Sequence, residues 1–253
     1  MAEETEISWC DATFNPWIGC TKVSAACDFC YAERYGNRFG VQWGNHDRRR
    51  TSASYWKQPL AWNKKAKESG TRLRVFCASL ADWLDNQVPD QWRNDLANII
   101  EATPCLDWLL LTKRPQNFGK HAPWHNDDVP ENVWIGTTIE NQDEANRRIP
   151  YLLNIGTRVR FLSCEPILGP IDLRAVRFGH MPATARLDWV IAGGESGPHA
   201  RPMNPDWARS LRDQCQTAGI YFHFKQWGGA RPKSNGCALD GREWKEVPYM
   251  GAA

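Results

Sequence analysis

Six short apolar runs recur along the chain and constrain its fold more than any other feature. Each run is five residues long, is dominated by β-branched, aliphatic and aromatic side chains, and leads into polar residues. Continuous apolar runs of this length are typical of strands that are buried on both faces, as in a parallel sheet. The six predicted strands are Val75 to Ser79, Trp108 to Thr112, Val133 to Thr137, Val159 to Ser163, Trp189 to Gly193 and Ile220 to Phe224.

The segments between these runs predict helices at Gln91 to Ala102, Gln142 to Leu153 and Pro205 to Ala218. The last helix has a suitable N-cap in Asn204 and a terminating glycine in Gly219. Strands that alternate with helices indicate repeated βα units around a parallel sheet. We therefore expect an α/β fold, a partial or complete (βα) barrel with six or more parallel strands. An open doubly wound sheet is the alternative.

The composition is that of a globular protein. The 253 residues are 42% hydrophobic and 24% charged, which excludes wholesale disorder, collagen and coiled coil. The length suits a single barrel domain over residues 1–253, with an insertion at about 38–70 and a C-terminal extension at about 229–253. No apolar run approaches the roughly 18 residues of a membrane helix, and the N-terminus has no secretory signal. We therefore expect a cytoplasmic protein without a membrane partner.

Three cysteines lie close together near the N-terminus. Six residues separate Cys20 from Cys27, and two separate Cys27 from Cys30. A Cys-x2-Cys pair lets two thiolates converge on one metal centre, and Cys20 is near enough to supply a third. No His or fourth Cys follows within the next fifteen residues. The open position would hold a catalytic water on zinc, or would leave one iron of a cubane cluster free to chelate a substrate.

This cysteine cluster ahead of a predicted barrel, with the aromatic Phe29 before its last cysteine, resembles the radical S-adenosylmethionine superfamily, whose commonest motif has a shorter first gap. More closely, the chain is similar to a radical-SAM-like family of unknown function associated with phages and bacteria. Spore photoproduct lyase, a DNA repair enzyme, is a distant functional analogue in the superfamily. The matching stretches extend from about Ile7 to Gly228 and include Asn15 to Trp17, Gly19 to Ser24, Cys27 to Arg34, Leu111 to Pro115, Phe161 to Pro166, Gly193 to Gly197 and Lys225 to Gly228.

The resemblance implies that Cys20, Cys27 and Cys30 ligate a [4Fe–4S] cluster and that S-adenosylmethionine chelates its fourth iron. One-electron cleavage of the sulfonium would yield a 5′-deoxyadenosyl radical that abstracts hydrogen from a substrate. A flavodoxin or ferredoxin would supply the electron. The residues expected to bind this cofactor are Phe29, Ser79, Asp82, Glu140, Gly193, Gly194 and Glu195.

Three further residues at the predicted strand ends are candidates for the reaction. Lys113, with the adjacent Arg114, could hold a carboxylate or phosphate, and Glu165 could bind substrate. Cys164 could donate a hydrogen atom to a product radical. The alternatives are a surface ion pair for Lys113, a helix cap for Glu165 and core packing for Cys164.

A segment rich in basic and aromatic residues precedes the first predicted strand. Basic groups interleaved with aromatic rings suit phosphate contacts and base stacking, although a solvated helix and a structural loop would look alike. The expected nucleic-acid contacts are Arg48, Arg49, Arg50, Trp43, Trp56, Lys64 and Lys65.

The sequence therefore predicts a radical S-adenosylmethionine enzyme that repairs or modifies a nucleic-acid base or nucleotide, in DNA or RNA. One alternative is a radical enzyme that acts on a peptide or small metabolite. The other is a non-enzymatic module whose cysteines bind zinc and whose basic segment binds nucleic acid. The net charge of +2 does not by itself indicate a nucleic-acid partner.

Overall fold

The computed structural model describes residues 5–38, 40–176 and 187–249. The predicted single domain over 1–253 thus extends past the described residues at both ends. The strands are β1 Ala12–Phe14, β2 Trp17–Ile18, β3 Arg49–Arg50, β4 Leu73–Cys77, β5 Leu106–Thr112, β6 Val133–Thr138, β7 Val159–Cys164, β8 Trp189–Gly193, β9 Tyr221–Gln226, β10 Ala238–Leu239 and β11 Arg242–Glu243. The α-helices are α1 Tyr31–Arg38, α2 Gln58–Ser69, α3 Asp90–Glu101, α4 Phe118–His121, α5 Gln142–Leu153 and α6 Pro205–Ala218.

Seven parallel strands form one sheet in the order β1-β4-β5-β6-β7-β8-β9. This order follows the chain without reversal, whereas a doubly wound sheet changes direction at a switch point. Within the described residues β1 and β9 do not pair, so the barrel is open. The predicted α/β partial barrel is confirmed, and the doubly wound alternative is wrong.

Local signals explain the element boundaries. The Asn141 side chain accepts a hydrogen bond from the Glu144 backbone N–H at the start of α5, and Asn204 does the same for Asp206 at the start of α6. The apolar pattern predicted a first strand as far as Ser79, but β4 ends at Cys77. Ala78 has φ 63°, and this left-handed conformation turns the chain out of the sheet.

The strand β1 was not predicted from the sequence. It contains only three residues, too few to show a hydrophobic period, and it pairs with Val75, Phe76 and Cys77 of β4. Its position at the sheet edge brings residues 20–30, called the cysteine segment below, over the carboxyl end of the sheet. The backbone of Gly19 bridges to Ala81, just beyond β4.

The two faces of the sheet have separate cores. The face covered by helices carries most of the aliphatic core, including Leu110, Ile135 and Leu162. The concave face is filled largely by aromatic rings, among them Trp134 and Trp189, whose ring centroids lie 6.1 Å apart. The concave face thus accounts for three of the buried tryptophans, Trp9, Trp134 and Trp189.

Two segments outside the main sheet bear on the predicted domain plan. The helix α2 lies within the predicted insertion at about 38–70, and its Trp62 and Ala66 pack in the helix-side core. The chain after β9 returns along that strand, where the Phe224 N–H donates to the Trp244 carbonyl at 2.8 Å. It therefore covers the outer edge of β9, which would otherwise present unpaired backbone groups.

In the described ranges, no helix combines the length and apolar character needed to cross a membrane.

Candidate functional site

A cleft lies at the carboxyl end of the parallel sheet. It contains ≈ 860 Å³ of space not filled by protein atoms, part of it open to solvent. Its lining includes Trp9 and Phe76 from the concave core, and Lys113 and Glu165 from beyond β5 and β7. Active sites of (βα) barrels lie at this end of the sheet, because the carboxyl ends of the strands meet there.

The three clustered cysteines all line this cleft. Cys20 follows the bridged Gly19, Cys27 ends a short 3-10 turn, and Cys30 directly precedes α1. Cys27 is buried, while Cys20 and Cys30 are half-buried. Burial, with a smaller contribution from Asp82, raises the pKa of the Cys20 thiol to about 12.

The chemistry of this donor set fits an iron–sulfur cluster. Thiolates are the usual protein ligands of such clusters, and three cysteines leave one iron open. Over the described ranges, no three His, Cys, Asp or Glu side chains come close enough to surround a single metal ion. A cubane takes one thiolate on each of three different irons, so its ligands lie farther apart than those around one ion.

The three acids predicted to bind the cofactor each pair with an arginine, and Asp82 among them lines the cleft. Asp82 follows β4, and its carboxylate accepts hydrogen bonds from Thr112 Oγ1, the Lys113 N–H, the Leu84 N–H and Arg114 Nη1. An ionised carboxylate accepts about four hydrogen bonds, so these donors satisfy Asp82. Arg114 also donates to the Thr21 carbonyl at 2.6 Å and to Cys20 Sγ at 3.6 Å.

A second pair follows β6. Glu140 is fully buried and accepts a hydrogen bond from Arg148 Nη1 at 3.0 Å. Its other oxygen accepts the Ala26 N–H at 3.1 Å, in the turn that carries Cys27. The buried carboxylate therefore joins α5 to the cysteine segment.

A third pair follows β8. Glu195 accepts two hydrogen bonds from the Arg201 guanidinium. Arg201 also donates to the Ala25 carbonyl and to Asp28, and its guanidinium carbon lies 5.0 Å from the Phe29 ring centroid. Phe29 does not line the main cleft; it lines a smaller neighbouring one that also contains Cys30.

The main cleft has polar groups of its own. The Lys225 ammonium pairs with Glu165 at 2.8 Å. Lys113 is half-buried, and within the described ranges its ammonium has no ion-pair or hydrogen-bond partner. Ser79 exchanges hydrogen bonds with the Asn15 side chain, and its carbonyl accepts from the Tyr31 hydroxyl. Lys113 is thus the cation of this cleft best placed to meet an anion.

Cys164, Gly193 and Gly194 do not line the cleft. Cys164 is fully buried in the core on the helix side of the sheet, so its thiol faces away from the site. A Cβ on Gly194 would lie 2.0 Å from the Trp227 carbonyl oxygen, and one on Gly193 would lie 3.4 Å from that of Gln226. Close packing against the chain beyond β9 accounts for the glycine at position 194.

The structure separates the residues predicted to contact nucleic acid. Arg48 is buried and pairs with Asp85 at 2.6 Å, and Trp56 is buried against Phe14. Neither side chain is accessible to a phosphate or a base, because both are buried in the folded protein. Of the others, Trp43 lines the cleft, Arg50 pairs with Asp95, Arg49 is exposed in β3, and Lys64 and Lys65 lie on the exposed face of α2.

Of the arginines that hold the cysteine segment, the sequence analysis named Arg114, with Lys113, as able to hold a carboxylate, and Arg114 pairs with Asp82. Arg148 and Arg201, which lie within or before helices, were missed. An acid after each of β4, β6 and β8 was a usable signal, since a buried carboxylate requires a partner. Which arginine pairs with which acid depends on the fold.

The fold is a partial (βα) barrel with a seven-stranded parallel sheet. The chain belongs to the family described as protein of unknown function DUF5131, whose model matches residues 4–248. No curated protein matches it. A solved variant of spore photoproduct lyase with bound AdoMet and dinucleoside spore photoproduct is similar, with a TM-score of 0.51 and 11% identity over 85% of this chain and 63% of that one. A second variant gives a TM-score of 0.49 and 12% identity over the same shares.

This chain spans less than two thirds of the length of the spore photoproduct lyase chain. At 11% identity the similarity concerns the fold alone.

Proposed function

We propose that this protein is a radical S-adenosylmethionine enzyme. The observation that carries the proposal is the position of Cys20, Cys27 and Cys30 on one cleft at the carboxyl end of the sheet. Buried carboxylate–arginine pairs after β4, β6 and β8 tie this cysteine segment to the barrel. A zinc module would need no such cleft at the end of a parallel sheet.

The residues of the cleft have separate roles in this proposal. The three cysteines would hold a [4Fe–4S] cluster. When bound, the cluster and S-adenosylmethionine supply reductive sulfonium cleavage and hydrogen abstraction. Trp9 and Phe76 exclude water from the floor of the cleft, and the Ser79 hydroxyl is available for the ammonium group of the cofactor. In this proposal Asp82, Glu140 and Glu195 position the cysteine segment and do not touch the cofactor directly.

The proposed substrate class is a nucleotide or nucleic-acid base. Tyr31 is half-exposed on the cleft lining, Trp43 lies on the same lining, and the unpaired Lys113 would meet an anionic group. An aromatic ring stacks on such side chains, and a phosphate or carboxylate binds a lysine. Glu165 and its partner Lys225 would contact the substrate at the opposite wall.

We further propose that a small redox protein of the flavodoxin or ferredoxin type supplies the electron, in the cytoplasm. All nine cysteines are free, which suits a reducing compartment.

Anaerobic reconstitution with iron and sulfide tests the proposal. We expect a brown protein that absorbs near ~400 nm, carries about four irons per chain and converts S-adenosylmethionine to 5′-deoxyadenosine under reduction. Alanine at Cys20, Cys27 or Cys30 should abolish both properties. Alanine at Cys105, at the opposite end of β5, should abolish neither. Stoichiometric zinc and a colourless protein would instead favour the binding module.

Fluorescence anisotropy with labelled DNA and RNA across a salt series tests the substrate class. Binding that weakens with salt, and weakens further in a Trp43→Ala variant, would support a nucleic-acid substrate. A Trp56→Phe variant is the matched control, because that ring is buried. If no oligonucleotide binds at low salt, mononucleotides should be tried before peptides and other metabolites.

A further inference from the structure

Arg114, which follows β5, donates a hydrogen bond to a cysteine sulfur of the cysteine segment. Its Nη1 lies 3.6 Å from Cys20 Sγ and 3.0 Å from the Asp82 carboxylate. Its Nη2 donates to the Thr21 carbonyl at 2.6 Å, one residue beyond Cys20. In the part of the chain that the structure describes, Arg148 reaches the cysteine segment only through Glu140, and the contacts of Arg201 to the segment involve no cysteine sulfur.

The surroundings of Arg114 fix its guanidinium firmly. The residue is buried, and its backbone N–H donates to Thr112 Oγ1 at 2.8 Å. Arg114 Nη1 lies 3.0 Å from the Asp82 carboxylate, and the guanidinium of arginine is not deprotonated in proteins. The guanidinium therefore stays charged, and it has N–H groups for the carboxylate, the carbonyl and the sulfur at once.

A charged donor at a ligand sulfur has a defined effect on an iron–sulfur centre. The reduction potential depends on the hydrogen bonds to the sulfurs and on nearby charge. Reduction adds negative charge to the centre, so a nearby positive N–H group stabilises the reduced form more than the oxidised form.

We infer that Arg114 is a positioning residue that fixes the Cys20 ligand through Thr21 and Cys20 Sγ and raises the reduction potential of the cluster. The inference rests on the proposed function, because it requires Cys20 to be a cluster ligand. Asp82 is the acid that pairs with Arg114. It holds the guanidinium in place and neutralises its charge toward the rest of the barrel.

The experiment compares the wild-type protein with four variants after anaerobic reconstitution. Asp82→Asn is the reference, because it removes the acid that acts on Cys20 and keeps the Arg114 donor. The double variant Arg114→Gln/Asp82→Asn removes the donor without leaving a buried charge unpaired. Arg114→Lys keeps the charge but cannot span the carbonyl and the sulfur together. The matched control is Arg72→Gln/Asp107→Asn, which removes a pair at the opposite end of β5, where Arg72 donates to Asp107 at 2.8 Å.

Iron content is measured first, and the midpoint potential is then obtained by optical redox titration. For Arg114→Gln/Asp82→Asn we expect retained iron and a potential that is lower than that of Asp82→Asn by at least a tenfold change in the reduction equilibrium, about 59 mV for one electron. The control pair should leave the potential unchanged. Arg114→Lys should retain iron and lower the potential by less, because it keeps the charge but not both hydrogen bonds.

Two results would overturn the inference while the proposed function stands. One is an iron-loaded double variant whose potential equals that of Asp82→Asn. The other is loss of iron from both Arg114 variants together with loss of cooperative thermal unfolding, because the residue would then be merely structural. A wild-type protein that binds no cluster overturns the proposed function and this inference together, and the iron assay reveals it before any potential is measured.

Discussion

Lys113 is the residue at which a single substitution tests the proposed binding site most directly. Lys225 on the same cleft is neutralised by Glu165, whereas Lys113 has no partner within the described ranges. We expect Lys113→Gln to weaken binding of S-adenosylmethionine or of a nucleoside monophosphate about ten- to a hundredfold. A hydrogen bond to a charged group contributes about 1.5–3 kcal/mol. Equilibrium dialysis of the reconstituted protein measures this change.

The control for Lys113 is Lys64→Gln, which removes an exposed lysine that lies 3.9 Å from Glu68. It should leave both affinities and the iron content as they are. Equal affinities in Lys113→Gln and the wild type, for both ligands, would remove Lys113 from the binding site.

Gly194 shows that a glycine pair after a strand need not bind a cofactor. An added Cβ would lie 2.0 Å from the Trp227 carbonyl oxygen, which is backbone and cannot swing aside. Gly194→Ala should therefore lower the free energy of unfolding by about 1–3 kcal/mol or more, as overpacking does. Urea unfolding measures the loss. Gly119→Ala is the comparison, because no atom lies within 4 Å of its added Cβ in α4. A Gly194→Ala protein as stable as the wild type would contradict the packing explanation.

At the scale of elements, the cysteine segment is held by buried ion pairs. The side chains of Glu140 and Arg148 are almost completely excluded from solvent. Arg148→Met would leave the Glu140 carboxylate buried without its cation, which typically costs about 3–5 kcal/mol. Adding Glu140→Gln should recover part of this loss, because no isolated charge remains. Chemical unfolding of the two variants measures the difference.

The surface pair Arg158–Glu131 provides the contrast for this prediction. Its atoms lie 3.8 Å apart, and both side chains are well exposed. Arg158→Ala should cost no more than about 1 kcal/mol. If Arg148→Met were no more destabilising than Arg158→Ala, the buried pair would not hold the segment.

The sequence predicted elements well where a local pattern was complete. The ranges of α5, α6 and β8 agree with the prediction, because caps and continuous apolar runs mark them. The strand β1 is too short to carry a period. The position of the cleft could be predicted, because the carboxyl ends of parallel strands converge. The pairing of carboxylates with arginines could not be predicted in this way. Arg201 and Asp28 are 173 residues apart, and their contact exists only once the barrel has formed.

At the scale of the whole molecule, the open barrel depends on its aromatic concave core. Gly136 leaves room for Phe161, whose ring would otherwise lie 2.4 Å from an added Cβ. The composition shows that the chain has many tryptophans but not which face of the sheet each one packs on. That face depends on the register of the strand. The same concave face places Trp9 at the boundary between the core and the cleft. Residues of the concave core that stabilise the barrel, such as Trp9, therefore also line the candidate site.

His223 links this concave core to pH. It lies on β9, is almost fully buried, and its Nε2 lies 2.9 Å from Ser8 Oγ. Burial, reinforced by the positive charges of Arg74, Lys225 and Lys245, lowers its pKa from 6.5 to about 4. Between these two values the unfolded chain binds more protons than the folded one, so the free energy of unfolding falls as the pH drops. The stabilisation is complete above about pH 6.5 and is lost toward pH 4; the full effect is about 3 kcal/mol at 1.36 kcal/mol per pKa unit.

A His223→Gln variant tests this pH dependence, because its side chain does not titrate. Urea unfolding at a series of pH values from 4 to 7 should give a shallower loss of stability for the variant than for the wild type. Ser8→Ala keeps the imidazole and its charged neighbours and removes only the hydroxyl. It should therefore lower stability while retaining the steep pH dependence. Identical slopes for His223→Gln and the wild type would mean that other groups, and not the buried imidazole, control the acid stability of the barrel.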